Sequence, residues 1–164
     1  MAEITNLESK LGEVTGLAMA AQVATGRVIT LAKKEDSDLV DALEKMRAEA
    51  SETERRCTEL AGTFEGKKTA ILEEARSTKS KGAEMLKIYL DKDADALDGF
   101  EFLTMAEAGE VGHWAVLQEM NATARHRGVE ELTRWALPIQ QRHLEGVLAG
   151  SKALAASEDP NEPA

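Results

Sequence analysis

Apolar residues recur along most of the chain with the alternating spacing of three and four that places them on one face of a helix. This pattern extends over about residues 4–34, from about 37 to Gly62, and over about 95–124 and 129–156. A weaker pattern runs from Gly66 to Tyr89, and the polar residues 76–81 interrupt it. We therefore expect four long amphipathic helices and a linking helix, in which the polar run could mark a break.

Residues that suit helix ends flank these segments. Thr5 or Asn6 could cap the first helix, and Asp36 or Ser37 the second. Pro138 lies inside the last helix, where it should remove one hydrogen bond and bend the helix. The acidic tail, residues 157–164, contains two prolines and has nothing to bury, so we expect it to be disordered.

The composition supports an all-α fold. Aromatic residues make up 4 % of the 164 residues and only three prolines occur, while Ala, Leu, Glu, Lys and Met dominate. One domain of this size, residues 1–156, can bury its helical stripes only by packing them against one another. The predicted architecture is an antiparallel bundle.

Charge and cysteine content narrow the function classes. The formal net charge of −10 argues against binding to nucleic acid or to an anionic membrane, because both need a positive surface. The single cysteine, Cys57, cannot form an internal disulfide, which favours a reducing compartment. No basic leader and no stretch of roughly 18 apolar residues is apparent, so we expect a soluble cytoplasmic protein.

Two acidic residues fall on the apolar face of the 95–124 helix. That face contains, in order, Phe100, Leu103, Glu107, Glu110, Trp114, Leu117 and Asn121. Two neighbouring buried carboxylates must share a proton, meet a cation or bind a metal. An adjacent stripe is also apolar and leaves a second register open, in which both glutamates face solvent; it contains Phe102, Ala106, Gly109, His113, Val116 and Met120.

Candidate partners for these carboxylates occur on two other helices. Glu49 lies about 40° from the centre of the second stripe and Glu52 about 100°, so Glu49 is the better candidate and Glu52 is more simply explained by exposed pairing with arginines. His143 lies on the last stripe, three residues after Gln140, and is either a ligand or a core histidine. Carboxylates with an imidazole suit iron or manganese, so Glu49, Glu52, Glu107, Glu110 and His143 are the predicted metal ligands.

Three segments resemble the YciF-type branch of the ferritin-like superfamily. They are Ser51-Glu-Thr-Glu-Arg-Arg56, Gly66-Lys-Lys-Thr-Ala-Ile-Leu-Glu-Glu74 and Ala106-Glu-Ala-Gly-Glu-Val-Gly-His-Trp-Ala-Val-Leu117. The resemblance covers roughly residues 15–150 and implies a ferritin-like antiparallel four-helix bundle with an additional linking helix. It also implies that Glu107 and Glu110 are metal ligands followed by the family's aromatic residue, Trp114.

The chain departs from the family pattern at several positions. Ala20 or Ala21 stands where the first helix would carry an inward glutamate, Arg56 lies near a usual His or Gln, and Gln140 and Gln141 replace common acids. Fewer carboxylates lower the affinity for a pair of divalent ions. An arginine near the cavity, Arg56, could instead neutralise Glu107 and Glu110.

Two functions follow from these observations. The first is a ferritin-like protein with an iron or manganese site, for which the resemblance implies peroxide or oxygen chemistry in stress protection and leaves the small-molecule substrate open. The alternative is a metal-free helical dimer that acts as a binding or scaffold protein with a degenerate site. Either protein is expected to be a homodimer, with Trp114 and Trp135 as core or dimer anchors.

Overall fold

A computed structural model of the chain describes residues 2–33, 35 and 37–162. Within these residues the regular secondary structure is entirely helical, which confirms the all-α prediction. The five helices are α1 (Asn6–Ala32), α2 (Ser37–Ala61), α3 (Lys68–Tyr89), α4 (Ala96–Ala124) and α5 (Arg127–Ala155). The predicted cap at Asp36, and the side chain of the alternative cap Ser37, lie outside the described residues.

Reciprocal side-chain caps fix the starts of α1 and α4. The Thr5 hydroxyl accepts a hydrogen bond from the backbone N–H of Glu8 at 3.2 Å, and the Glu8 carboxylate accepts one from the N–H of Thr5 at 2.7 Å. Asp95 and Asp98 form the same arrangement at the start of α4. These capping boxes satisfy backbone donors that have no partner within the helix.

Two helices differ from their predicted form. α3 is continuous through the polar run, because residues 76–81 face solvent, apart from Thr78, while Ile71 and Ala75 face inward. α5 begins at Arg127, because the ring of His126 caps it by accepting from the N–H of Val129 at 3.3 Å. Pro138 lies inside α5 as expected.

The tail that follows α5 is exposed throughout its described part. Residues 157–162 form turns and bends without regular helix. The last two residues of the predicted disordered segment 157–164 lie outside the described part of the chain.

The helices pack side by side into a bundle. α1 contacts α2, α3 and α4, α4 contacts α5, and α5 also contacts α2. Pairs such as Thr104 with Ser151, and Glu107 with His143, show that α4 and α5 run antiparallel, because the residue number rises on one helix as it falls on the other.

Glycines allow α3 to lie close against α1. A Cβ atom added at Gly16 would lie 2.3 Å from the Ala75 carbonyl oxygen, and one at Gly12 would lie 2.7 Å from the Ile71 carbonyl oxygen. No side chain fits at such distances, so these positions require glycine. The close contact between α1 and α3 thus depends on glycines that lack a side chain, and the pattern of apolar residues does not reveal it.

Helix α1 is more apolar than the sequence pattern led us to expect. Its most apolar 18-residue window has a mean hydropathy of 1.3, so α1 is long and apolar enough to cross a membrane by length and composition. The expectation that no stretch approaches such a span is wrong in this respect. α1 packs against three other helices, and 44 % of that window is buried inside the protein.

Two apolar clusters fill the interior and are separated by a polar layer. The first includes Val28, Leu43, Phe100, Leu103 and Val147, and the second includes Leu11, Cys57, Trp114, Leu117 and Ala136. Along α4, Glu107 and Glu110 lie between Leu103 and Trp114. Along α5, Gln140 and His143 lie between Ala136 and Val147. The candidate site therefore occupies the middle of the protein.

Candidate metal centre

The buried face of α4 is the predicted one. All seven residues of the stripe from Phe100 to Asn121 are buried, with Glu107 only 1 % and Glu110 only 3 % exposed. In the alternative register, Val116 is 43 % exposed and Gly109 is exposed. The three-residue spacing therefore places both carboxyl groups inside the bundle.

Gln140 joins the two carboxyl groups. Its amide is assigned with the nitrogen toward α4, because the opposite orientation would set its oxygen against carboxylate oxygens. In this orientation the nitrogen donates to Glu107 Oε2 at 3.1 Å and to Glu110 Oε2 at 3.2 Å. The sequence pattern drew attention to Gln140 only as the residue three before His143, and did not predict this bridging role.

His143 is the cationic partner of the buried acids. Its Nδ1 lies 3.5 Å from Glu107 Oε2, and its Nε2 lies 2.6 Å from Glu49 Oε2. Burial disfavours the charged ring, but hydrogen bonds and charges from Glu107 and Glu49 outweigh burial and raise the pKa of His143 above 6.5. Below this raised pKa the ring carries the positive charge that Glu107 requires.

Glu49 connects this interior group with the surface. Its carboxylate also accepts a hydrogen bond from the guanidinium of Arg142 at 2.7 Å, and Arg142 is half exposed. Partial burial raises the pKa of Glu49, but His143 and Arg142 lower it further, so the net shift is downward. Arg142 was not predicted, because an exposed arginine carries no sequence signal of an inward contact.

Glu110 differs from the other acids because no cation contacts it in the described part of the chain. Burial, together with the nearby charge of Glu107, raises the pKa of Glu110 well above 4.5. Glu110 therefore holds a proton under conditions in which exposed glutamates are ionised. Two adjacent buried carboxyl groups avoid mutual repulsion when one of them is protonated in this way.

Glu52 lies outside the cluster, although it was a predicted ligand. Its carboxylate faces Arg55 and Arg56 at 2.7 Å each, and hydrogen bonds from Arg55 and Arg56 lower its pKa to about 2. Glu52 lies on the flank of α2, as the angle of about 100° from the stripe centre indicated.

Arg56 also lies away from the buried acids, contrary to the role considered for it. Its guanidinium stacks 4.1 Å above the ring of Trp135 and bonds to Glu52, and the side chain is 42 % exposed. The counter-ion of Glu107 is therefore His143. The sequence could not decide whether Arg56 or His143 is the counter-ion, because a long side chain at the edge of an apolar stripe can point toward the interior or toward solvent.

The inward positions of α1 bring no acid into this layer. They carry Ala18, Ala21 and Thr25, and all three are buried. Cys57 of α2 is buried as well, and burial raises the pKa of its thiol to about 12, which makes it an unreactive core residue.

By the type of donor alone, the buried group would suit one divalent ion rather than a pair. Glu49, Glu107, Glu110 and His143 supply carboxylate oxygens and imidazole nitrogen, the donors that iron and manganese prefer. Within the described residues, however, no three His, Cys, Asp or Glu side chains are arranged to hold a metal ion as they stand. Binding would require these side chains to leave their mutual hydrogen bonds.

Comparisons with protein-family models, curated proteins and solved structures found no match for the chain.

Proposed function

We propose that the protein is a ferritin-like four-helix bundle that binds one divalent iron or manganese ion through Glu107, Glu110 and His143, with Glu49 at the outer side. In this proposal α1, α2, α4 and α5 form the bundle and α3 is the linking helix. The observation that carries it is the pair of buried carboxyl groups beside an imidazole, with no Lys or Arg contacting either group in the described part of the chain.

Charge balance supports exchange of a metal for protons. Without metal, Glu107 is balanced by the proton on His143, Glu49 by Arg142, and Glu110 is neutral. A divalent ion at the same place would displace the protons of His143 and Glu110, so two positive charges would replace two. The buried layer would keep the same net charge in both states, which avoids the cost of an unpaired buried charge.

The proposed site would place a redox-active ion in a largely apolar interior. Such an ion supplies peroxide or oxygen chemistry when bound, and the proposed role is stress protection. The chain's own residues would hold the ion, keep bulk water out through the flanking apolar clusters, and accept or release protons at Glu110 and His143.

Metal content tests this proposal. Protein prepared without a His-tag and reconstituted with Mn²⁺ or, without oxygen, Fe²⁺ should retain about one ion per chain after gel filtration. The Glu107→Gln/Glu110→Gln double variant should retain none, and Glu52→Gln should match the wild type. Equal retention by the double variant would overturn the proposed site.

A second candidate is a metal-free helical homodimer that acts as a binding or scaffold protein. The continuous pairing of Glu107, His143, Glu49 and Arg142 favours it, because this arrangement already balances the charges without a metal. Absence of retained metal after reconstitution, together with a dimeric mass by sedimentation, would support this candidate.

A further inference from the structure

A cavity of about 200 Å³ opens between α2 and α5, beside the polar layer. Its walls are mainly apolar and include Leu43, Met46, Phe100 and Val147. These four residues are buried members of the first apolar cluster, so this cluster forms the inner wall of the cavity. It is slightly larger than an apolar cavity of about 150 Å³ that holds benzene, so it suits a body of about six to eight carbon atoms.

Two cationic side chains also line this cavity. Lys45 of α2 and Arg142 of α5 contribute to its wall. Both are exposed, whereas the apolar wall residues are buried, so the cations lie at the solvent side. Among the described residues Lys45 has no ion-pair partner, and Arg142 uses one terminal nitrogen for Glu49, which leaves further N–H donors.

The Glu49 carboxylate in the cavity wall balances the charge of Arg142 but leaves that of Lys45 uncompensated. Glu49 is paired on one side with His143 and on the other with Arg142. Its charge is thus already compensated by groups other than Lys45. In a chain with a net charge of −10, this cavity presents a local cationic rim above an apolar wall.

We propose that this cavity binds a small organic monoanion whose apolar body lies against Leu43, Met46, Phe100 and Val147, and whose carboxylate is held by Lys45 and Arg142. Apolar burial supplies the affinity, and the cationic rim selects for the anion. The ligand would lie next to His143 and Glu49. Because the cavity exists without any metal, the proposal is independent of the metal site.

Titrations of the full, EDTA-treated protein followed by two-dimensional NMR test the chemical class. Hexanoate should bind at least about tenfold more tightly than hexan-1-ol or hexylamine, which share its chain but lack the negative charge. Butanoate should bind more weakly than hexanoate by about fourfold per CH₂ group. Equal affinity for all three six-carbon compounds, or no shifts with any of them, would overturn the proposal.

Matched glycine variants test the location. A Cβ added at Gly146, which lines the cavity, meets no atom within 4 Å, so Gly146→Leu should fill the space without a clash. Gly112 of α4 is equally open and exposed but lies outside the cavity, so Gly112→Leu is the control. Hexanoate binding should be lost in the first variant and unchanged in the second. Unchanged binding to Gly146→Leu would overturn the assignment.

A charge variant tests the rim. Lys45→Gln should weaken hexanoate binding several-fold and leave hexan-1-ol unchanged, because it removes a cation without altering the apolar wall. Lys87→Gln on α3, which removes an equal charge from an exposed position, should bind hexanoate as the wild type does. Equal weakening by both substitutions would show a general effect of net charge and contradict the proposed rim.

Discussion

Two Glu-x-x-Glu pairs in this protein have identical spacing and opposite environments. On α2, the Glu49 side chain is 23 % and the Glu52 side chain 36 % exposed, and both contact arginines. On α4, Glu107 and Glu110 are almost fully buried and contact an amide and an imidazole. Spacing alone therefore does not define a buried acidic site. The position of each pair relative to the apolar stripe decides whether its carboxylates are buried beside each other or paired with arginines at the surface.

The largest expected difference between the pairs is in metal affinity. Glu107→Gln keeps the shape of the side chain but removes its charge, so we expect Mn²⁺ affinity to fall by on the order of 100-fold or more. Glu52→Gln should leave the affinity unchanged, because Glu52 faces its arginines. Competition titration with a chelating dye measures both. A similar loss in the two variants would remove the distinction between the pairs.

The second largest difference between the two pairs is expected in their contribution to the free energy of unfolding. Glu107→Ala removes one of the two acidic partners of Gln140 and of charged His143, both buried, which should cost about 3 kcal/mol of the free energy of unfolding. Glu52→Ala should have no measurable effect, because exposed ion pairs contribute little. Urea unfolding of the metal-free variants at pH 6 provides the comparison. If Glu107→Ala had the same free energy of unfolding as the wild type, Gln140 and His143 would not depend on the Glu107 carboxylate for their stability.

The pH dependence of the metal-free protein isolates Glu110. Its folded-state pKa is raised, so its contribution to stability is fully present below the unfolded pKa of about 4.5 and is lost as pH rises toward the folded pKa. One proton per molecule corresponds to about 1.4 kcal/mol per pH unit within this window.

Glu110→Gln should remove this slope, since the amide resembles the protonated acid and does not titrate. Unfolding at a series of pH values from 4.5 up to 6.5, above which His143 also titrates, gives the slope for each protein. Glu52→Gln serves as the control and should keep the wild-type slope, because the pKa of Glu52 is shifted downward and its titration lies at lower pH. Parallel curves for wild type and Glu110→Gln would contradict the raised pKa.

The smallest effect is expected within the α2 pair itself. Glu49→Gln removes one of the two carboxylates that raise the pKa of His143, so this pKa should fall toward its ordinary value of 6.5. The pKa of His143 in Glu52→Gln should equal that of the wild type. NMR titration of the imidazole resonances measures both. An unchanged His143 pKa in Glu49→Gln would mean that the contact between the two side chains does not persist in solution.

The sequence predicted the inward face of α4 because apolar residues on both sides of the glutamates fix the rotation of the helix. Leu103 and Trp114 belong to the same stripe, and the two acids lie between them. The angular estimate for α2 also separated Glu49 from Glu52 correctly. Helical periodicity thus determined which carboxylates face inward, and the contacts agree with it.

Other features depend on contacts between helices that periodicity does not encode. The close approach of α3 to α1 at Gly12 and Gly16 depends on missing Cβ atoms. The pairing of Glu49 with Arg142, and the turn of Arg56 toward Trp135, depend on how long side chains orient at the boundary between helices. Such orientations follow from the packed geometry of two or three helices at once.

The most direct test of the account is the number of protons released when Mn²⁺ binds. Calorimetric titration at pH 6, in buffers with different ionisation enthalpies, gives the stoichiometry and the proton count together. We predict about one ion bound per chain with net release of protons from Glu110 and His143. Metal binding without proton release, or no binding to protein whose Glu107 and Glu110 are intact, would contradict the account.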